Sequence, residues 1–319
     1  MLFKEWNRMS NKILRQYGTL IALLVVVVIF SVLKPGAFPT FANLVNITRQ
    51  ISLLTIISVG ATIAMVVAEF DLSVGAVASF GGVLAAGFAV QGMNIVLSIL
   101  IPIGLSFLFG LGNGYLITRF RIFSFIATLS TGTVLGGITF WYTGGATIFG
   151  GIPDSFLWLG QAKIGFVPIP TILMIIVVIF FWFVFSWTEF GRRLYAIGGN
   201  PVASRLSGVH VSRDKTYAFG LSSLLSAFTG VILASRLGSA HPTAGSGMLL
   251  QAYAAVFLGM TAFKAGIPNI WGTFIGSLLI GVVANGLTML QVPYFLQDIV
   301  TGMIVILAVI LQHIDEWKG

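Results

Sequence analysis

Residues 68–76 read AEFDLSVGA, and they set Glu69 and Asp71 between two long apolar runs, ISLLTIISVGATIAMVV (51–67) and VASFGGVLAAGFAV (77–90). Charges confined to a short connection between two apolar runs describe a turn between two helices of a membrane protein. The rest of the chain repeats the pattern. Of 319 residues, 57% are hydrophobic and 8% charged, with nine carboxylates in all, and the mean hydropathy is +1.01. A soluble domain carries about 25% charged residues, so a chain this apolar takes lipid as its main solvent. The expected fold is all-α: a polytopic membrane protein forming one domain over residues 1–319, with no linker composition.

Applying the rule of about 20 apolar residues per crossing marks ten stretches: 17–33, 44–68, 72–90, 94–117, 122–143, 169–187, 216–237, 249–263, 268–290 and 294–311. Several are short and crowded with Gly, which predicts some broken or re-entrant segments. The first follows Lys4, Arg8, Lys12 and Arg15 without a small-x-small cleavage site, so it reads as a retained helix. Gly132-x-x-x-Gly136 and Gly272-x-x-x-Gly276 place small residues on one helix face, the pattern of closely packed helices.

The net charge of +8 follows the same logic, because Lys and Arg gather in cytoplasmic loops. With both termini cytoplasmic and ten crossings, the inner side receives the four N-terminal cations, Arg119, Arg121, Arg192, Arg193, Arg205, Arg213, Lys215, Lys264 and Lys318. Lys34, Arg49, Lys163 and Arg236 are the exceptions. Arg49 and Arg236 read as snorkelling cations, with contact to a docked partner as the alternative. The charge therefore points to a membrane, not to nucleic acid. There are no cysteines, which excludes disulfides and thiol chemistry.

The polar residues of the inner side concentrate in a loop over 188–215, TEFGRRLYAIGGNPVASRLSGVHVSRDK. It holds a miniature helix with both ends marked. Asn200 is a good N-cap, Pro201 suits the first helical position, Val202-Ala203-Ser204-Arg205-Leu206-Ser207 supplies about two turns, and Gly208 suits a left-handed C′ position. Gly198-Gly199 is read as a sharp reversal before it. Two turns are marginal alone in water. The helix therefore either lies on the protein's own membrane face or inserts its small apolar face, Val202, Ala203 and Leu206, into a groove on a soluble partner.

GNPVASRLSGV, DLSVGA and SAHPTAGSG followed by AAVFLG occur in this order and spacing across residues 18–312. Together they resemble the ribose-type permease family of ABC importers. The resemblance implies a homodimeric or heterodimeric multi-pass permease of the bacterial inner membrane. It also implies a cytoplasmic ATPase subunit that binds ATP-Mg, and a periplasmic binding protein that delivers a monosaccharide or related polyol. In that family the segment matching Gly199 to Val209 carries a coupling helix that sits in a cleft of the ATPase. The chain departs from the family pattern at Phe70, where Ile is usual, and at Met260, where a second Gly usually follows the one at Gly259.

Two further groups of residues have both structural and functional readings. Asp71 or Ser73 can cap the helix that follows and, with Gly75, pack it closely; alternatively this turn, expected near the inner face, dips inward and lines a translocation path. Glu69 reads as an interfacial or Arg-paired charge. Asn285 and Asp298 either bind sugar hydroxyls or hold helices together in lipid. His241, Pro242, Thr243 and Gly245 form either an ordinary outer loop or a re-entrant piece at the periplasmic mouth. Trp141-Tyr142 reads as an interfacial pair, and 144–167 as an outer cap with a short helix or turn.

The chain has no G-x-x-x-x-G-K-[ST] phosphate loop and no H-E-x-x-H, so no catalytic or metal-binding residues and no cofactor of its own are expected. The competing reading, an ion-coupled secondary sugar transporter, calls for paired intramembrane carboxylates; Asp298 and the Glu69/Asp71 turn are the available acids.

Overall fold

A computed structural model describes residues 2–263 and 266–313; for residues 2–17, 294, 305, 308–309 and 311–313 it describes the backbone alone. Lys264 and Lys318, assigned above to the inner side, lie outside the described residues, as do the side chains of Lys4, Arg8, Lys12 and Arg15. Among the described residues the order is α1 (Leu2–Leu33), α2 (Phe41–Val66), α3 (Val74–Val90), α4 (Ile95–Phe120), α5 (Ser124–Thr143), β1 (Ile148–Phe149), α6 (Asp154–Gln161), β2 (Lys163–Ile164), β3 (Val167–Pro168), α7 (Ile169–Trp187), α8 (Glu189–Gly199), α9 (Pro201–Leu206), α10 (Val211–Leu237), β4 (Ser239–Ala240), α11 (Met248–Met260), α12 (Ile270–Met289) and α13 (Tyr294–His313). The strands are two-residue ribbons, β1 with β4 and β2 with β3, and the architecture is helical.

Six of these helices, α2, α4, α5, α7, α10 and α12, are long and apolar enough to cross a membrane; four shorter apolar stretches, Gly18–Leu33, Val74–Val90, Met248–Met260 and Phe295–Ile304, accompany them. The chain divides into two compact units, Ser52–Leu249 and the residues on either side of it.

The 52–249 unit is built around α10, which packs on α3 and α4, with α5 against α3. Small residues make this possible. A Cβ at Gly81 would lie 2.8 Å from Ala227, and one at Gly82 would lie 2.6 Å from the Gly230 carbonyl oxygen. Gly110 faces Ser223 and Gly114 faces Thr216, so α4 runs antiparallel to α10. Lipid gives helices no hydrophobic reason to associate, so close backbone approach and buried hydroxyls carry the packing. The antiparallel pairing brings Arg119 and Arg121, at the end of α4, near Arg213, at the start of α10. At the opposite end of α10, α6 covers its last turn: Ser235 Oγ accepts from Gly160 N (2.7 Å) and donates to the Phe156 carbonyl (2.6 Å). The expected cap over 144–167 is therefore α6 with its small ribbons.

In the other unit, Gly272 packs against Gly259, and Gly276 against Ala255 of α11, so this small-xxx-small motif serves helix packing. In the motif on α5, Gly132 instead approaches the turn before α3: a Cβ there would lie 3.3 Å from the Ser73 Cα, while Gly136 is open.

Candidate functional site

The basic end of the 52–249 unit carries the segment 188–210. Asn200 caps α9 as the sequence reading expects: its Oδ1 accepts from Val202 N (3.0 Å) and Ala203 N (2.9 Å). Gly208 takes φ +84°, and the bonds Gly208 N to Arg205 O (3.0 Å) and Val209 N to Ser204 O (3.0 Å) close the paired turn that ends a helix on a left-handed residue. Of the helix's side chains Ser204 is buried, with its hydroxyl on the Asn200 carbonyl (2.9 Å). Val202 is 67% and Leu206 85% exposed. The apolar face is thus not spent on the rest of this chain.

Two features of this segment differ from the sequence reading. Glu189–Gly199 is itself a helix, α8, capped by the Thr188 hydroxyl on Gly191 N (3.3 Å) and seated on buried Gly191, Leu194 and Ile197. The Gly198-Gly199 pair, expected to make a reversal, lies inside α8, and neither residue has positive φ. Gly198 meets a different demand: a Cβ there would overlap the Val66 carbonyl oxygen at the end of α2. A second tie runs from Arg193 Nε to the buried Asp214 Oδ2 (2.8 Å), joining α8 to α10.

The chain leaving Val66 forms the turn over 67–73, where two expectations are corrected. Glu69 pairs with Lys215, not with an arginine. Asp71 does not cap α3, and Ser73, at the cap position, makes no side-chain capping bond. Asp71 is instead fully buried; its carboxylate accepts from Ser73 N (3.0 Å), Ser73 Oγ and Ser222 Oγ (2.8 Å), and Asn113 Nδ2 reaches Ser73 Oγ (3.3 Å). The physical reason is the turn's depth. Ser222 lies roughly 16 Å along α10 from Val211, and Asn113 about 10 Å along α4 from Phe120, at about 1.5 Å per residue. The turn, expected near the inner face, therefore dips into the unit, and α3 starts inside it.

The segment 241–247 comes to meet it from the other end. Anchored by the pairing of Ala240 with Ile148, it bends through Ala244 N to His241 O (3.0 Å) and Met248 N to Gly245 O (3.0 Å). Pro242 is buried, and Gly245 N donates to Ser79 Oγ of α3 (2.9 Å). A Cβ at Gly75 would lie 2.7 Å from the Gly245 carbonyl oxygen. Gly75 and Gly245 are thus needed by each other. His241 Nδ1 is occupied locally by Thr243 N (3.2 Å) and lies 2.9 Å from Thr243 Oγ1. Among the described residues no group of His, Asp and Glu has the makings of a metal site.

The remaining candidates fall in the other unit. Asn285 is 9% exposed and forms a reciprocal amide pair with Asn43, 3.0 Å each way, joining α12 to α2. Asp298 is an exposed residue near the start of α13.

Residues 43–309 match the family model described as branched-chain amino acid transport system, permease component. Over 94% of both chains the sequence is 40% identical to ribose import permease protein RbsC of Bacillus subtilis (strain 168). The chain belongs to the ribose-type family of ABC transporter permeases. The permease is also 38% identical to RbsC of Escherichia coli (strain K12), over 94% of each chain. To the D-allose transport system permease protein AlsC of the same organism it is 34% identical, over 94% of this chain and 92% of the relative. No solved structure matches it. Family membership and the apolar helices together make the permease a multi-pass inner-membrane protein.

Sequence reasoning missed α8, the Gly198–Val66 approach and the Glu69–Lys215 pair. The first left a signal, Thr188 followed by Leu194 and Ile197 three apart; the other two join residues far apart in the chain and left none.

Proposed function

We propose that the permease forms the translocation path of an ATP-driven importer for a monosaccharide or related polyol, and that α9 is its coupling helix. The sugar class comes from the ribose and allose permeases it is similar to. The observation that carries the reading is the exposed apolar face of a short helix capped at both ends, standing on the basic end. By the bias of Lys and Arg toward the cytoplasm that end is the inner one, and both termini are cytoplasmic. A dimer of this chain, or of this chain with a related permease, receives sugar from a periplasmic binding protein at the α6 end, and the segment His241 to Gly245 belongs to that mouth.

ATP-Mg stays in the partner ATPase. Its closure moves α9, which is joined to α8 by the single extended residue Asn200; α8 bears on the end of α2 through Gly198 and on α10 through Arg193 and Asp214. Displacement of α2 reaches the turn holding Asp71 and, through Gly75 and Gly245, the segment descending from the outer end. Coupling requires only that α9 bind its partner differently in the two states.

The test is sugar uptake into vesicles containing the permease, its ATPase and its binding protein. Uptake should need ATP and persist when ion gradients are collapsed. Uptake that needs no ATPase and stops with the gradient would replace this reading with an ion-coupled carrier, for which the buried Asp71 is the available acid.

A further inference from the structure

The basic end of the 52–249 unit holds a second feature, beside the apolar face of α9. A cleft of about 560 Å³ opens between α4, α9 and α10, with Arg119, Arg121, Arg205 and Arg213 on its walls alongside Tyr115 and Tyr217. No carboxylate lines it. Arg213 lies 3.6 Å from Asp214, which Arg193 already engages, whereas Arg119, Arg121 and Arg205 have no ion pair or side-chain hydrogen bond among the described residues. Guanidinium groups gathered without a counter-charge repel one another, and their fork of donors matches phosphate oxygens.

The shape of the cleft distinguishes among anions. Its lining climbs α4 as far as Leu111, about 14 Å from Phe120. Beyond it the same helix face continues as exposed Leu108, Leu105 and Ile101, an apolar track along a helix long enough to span the membrane. Gly104 and Gly112 leave open space on that track. Two exposed tyrosines stand where the track meets the arginines, as side chains do at the level of lipid headgroups. A soluble acidic protein surface would find the arginines but has no use for the track; a phospholipid uses both. We propose that this cleft is a binding site for an anionic phospholipid, with its phosphate on Arg119, Arg121, Arg205 and Arg213 and an acyl chain along α4.

The test is native mass spectrometry of the purified full-length permease with phosphatidylglycerol or phosphatidylcholine of matched chains. The wild type should retain phosphatidylglycerol at least several-fold better. The Arg119→Gln/Arg121→Gln double variant should lose roughly tenfold or more of that retention, while Arg119→Lys/Arg121→Lys keeps most of it. Arg121→Gln alone, at an exposed helix end, should give a smaller loss in the same direction if the double variant yields little protein. Equal retention of the two lipids, or wild-type retention in the Gln variants, overturns the proposal. So does displacement of phosphatidylglycerol by millimolar inorganic phosphate, which would make the cleft a site for free anions.

Discussion

The helix α9 and the turn over 67–73 are both short and polar, and they owe their shape to opposite causes. In α9 every group that fixes the conformation lies within ten residues: the Asn200 side chain at one end and Gly208 at the other. Its apolar face is left unspent. In the turn, Asp71 is held by Ser73 within the turn and by Ser222 of α10, while Ser73 and Gly75 are met by α4, α5 and the segment 241–247. One is a self-contained part with an exposed apolar face, and the other is a joint held by everything around it. A part of the first kind can be altered without disturbing the protein; a joint cannot.

That contrast yields graded expectations for thermal unfolding in detergent, read beside ATP-driven uptake. The largest effect belongs to the joint. Gly75→Leu or Gly198→Leu forces apart backbones in direct contact and should destabilise by about 1–3 kcal/mol or more, with uptake lost as well; a wild-type melting curve would show that the two approaches are not tight. Asp71→Ala removes the acceptor of buried donors, one of them the Ser222 hydroxyl, and should cost about 1–3 kcal/mol, with Asp71→Asn milder because the amide oxygen still accepts. Should Asp71→Ala melt like the wild type, the carboxylate is not what holds the turn. Asn200→Ala deletes only the cap of α9, about 1 kcal/mol locally; global melting should barely move while uptake falls severalfold, and intact uptake would argue that α9 need not be pre-formed. Leu206→Asp, at an exposed position, should leave melting within about 0.5 kcal/mol of wild type and still abolish ATP-dependent uptake. Normal transport in that variant would remove α9 from the coupling role.

The same contrast explains what was legible. Asn200, Pro201 and Gly208 announce α9 because capping chemistry is local and residue-specific, and the structure reproduces those bonds atom for atom. The apolar stretches announce the helices because crossing a bilayer sets a minimum length. Asp71 was visible as an oddity, an acid in a chain with few, but its depth was not, since depth depends on which residue of α10 lies opposite. Gly198 was misread for a related reason: glycine serves both turns and close approach, and only the position of Val66 tells which.

Composition and periodicity alone made this chain a helical membrane protein and gave it a capped helix on its basic end, because both follow from interactions between near neighbours and from the solvent each residue tolerates. Tertiary structure decided that the two glycine-bearing stretches around Gly75 and Gly245 meet inside the bundle, that α8 bears on α2, and that four arginines share one cleft. Those outcomes depend on contacts between residues tens to more than a hundred positions apart, and no local rule of sequence specifies which distant surfaces will face each other.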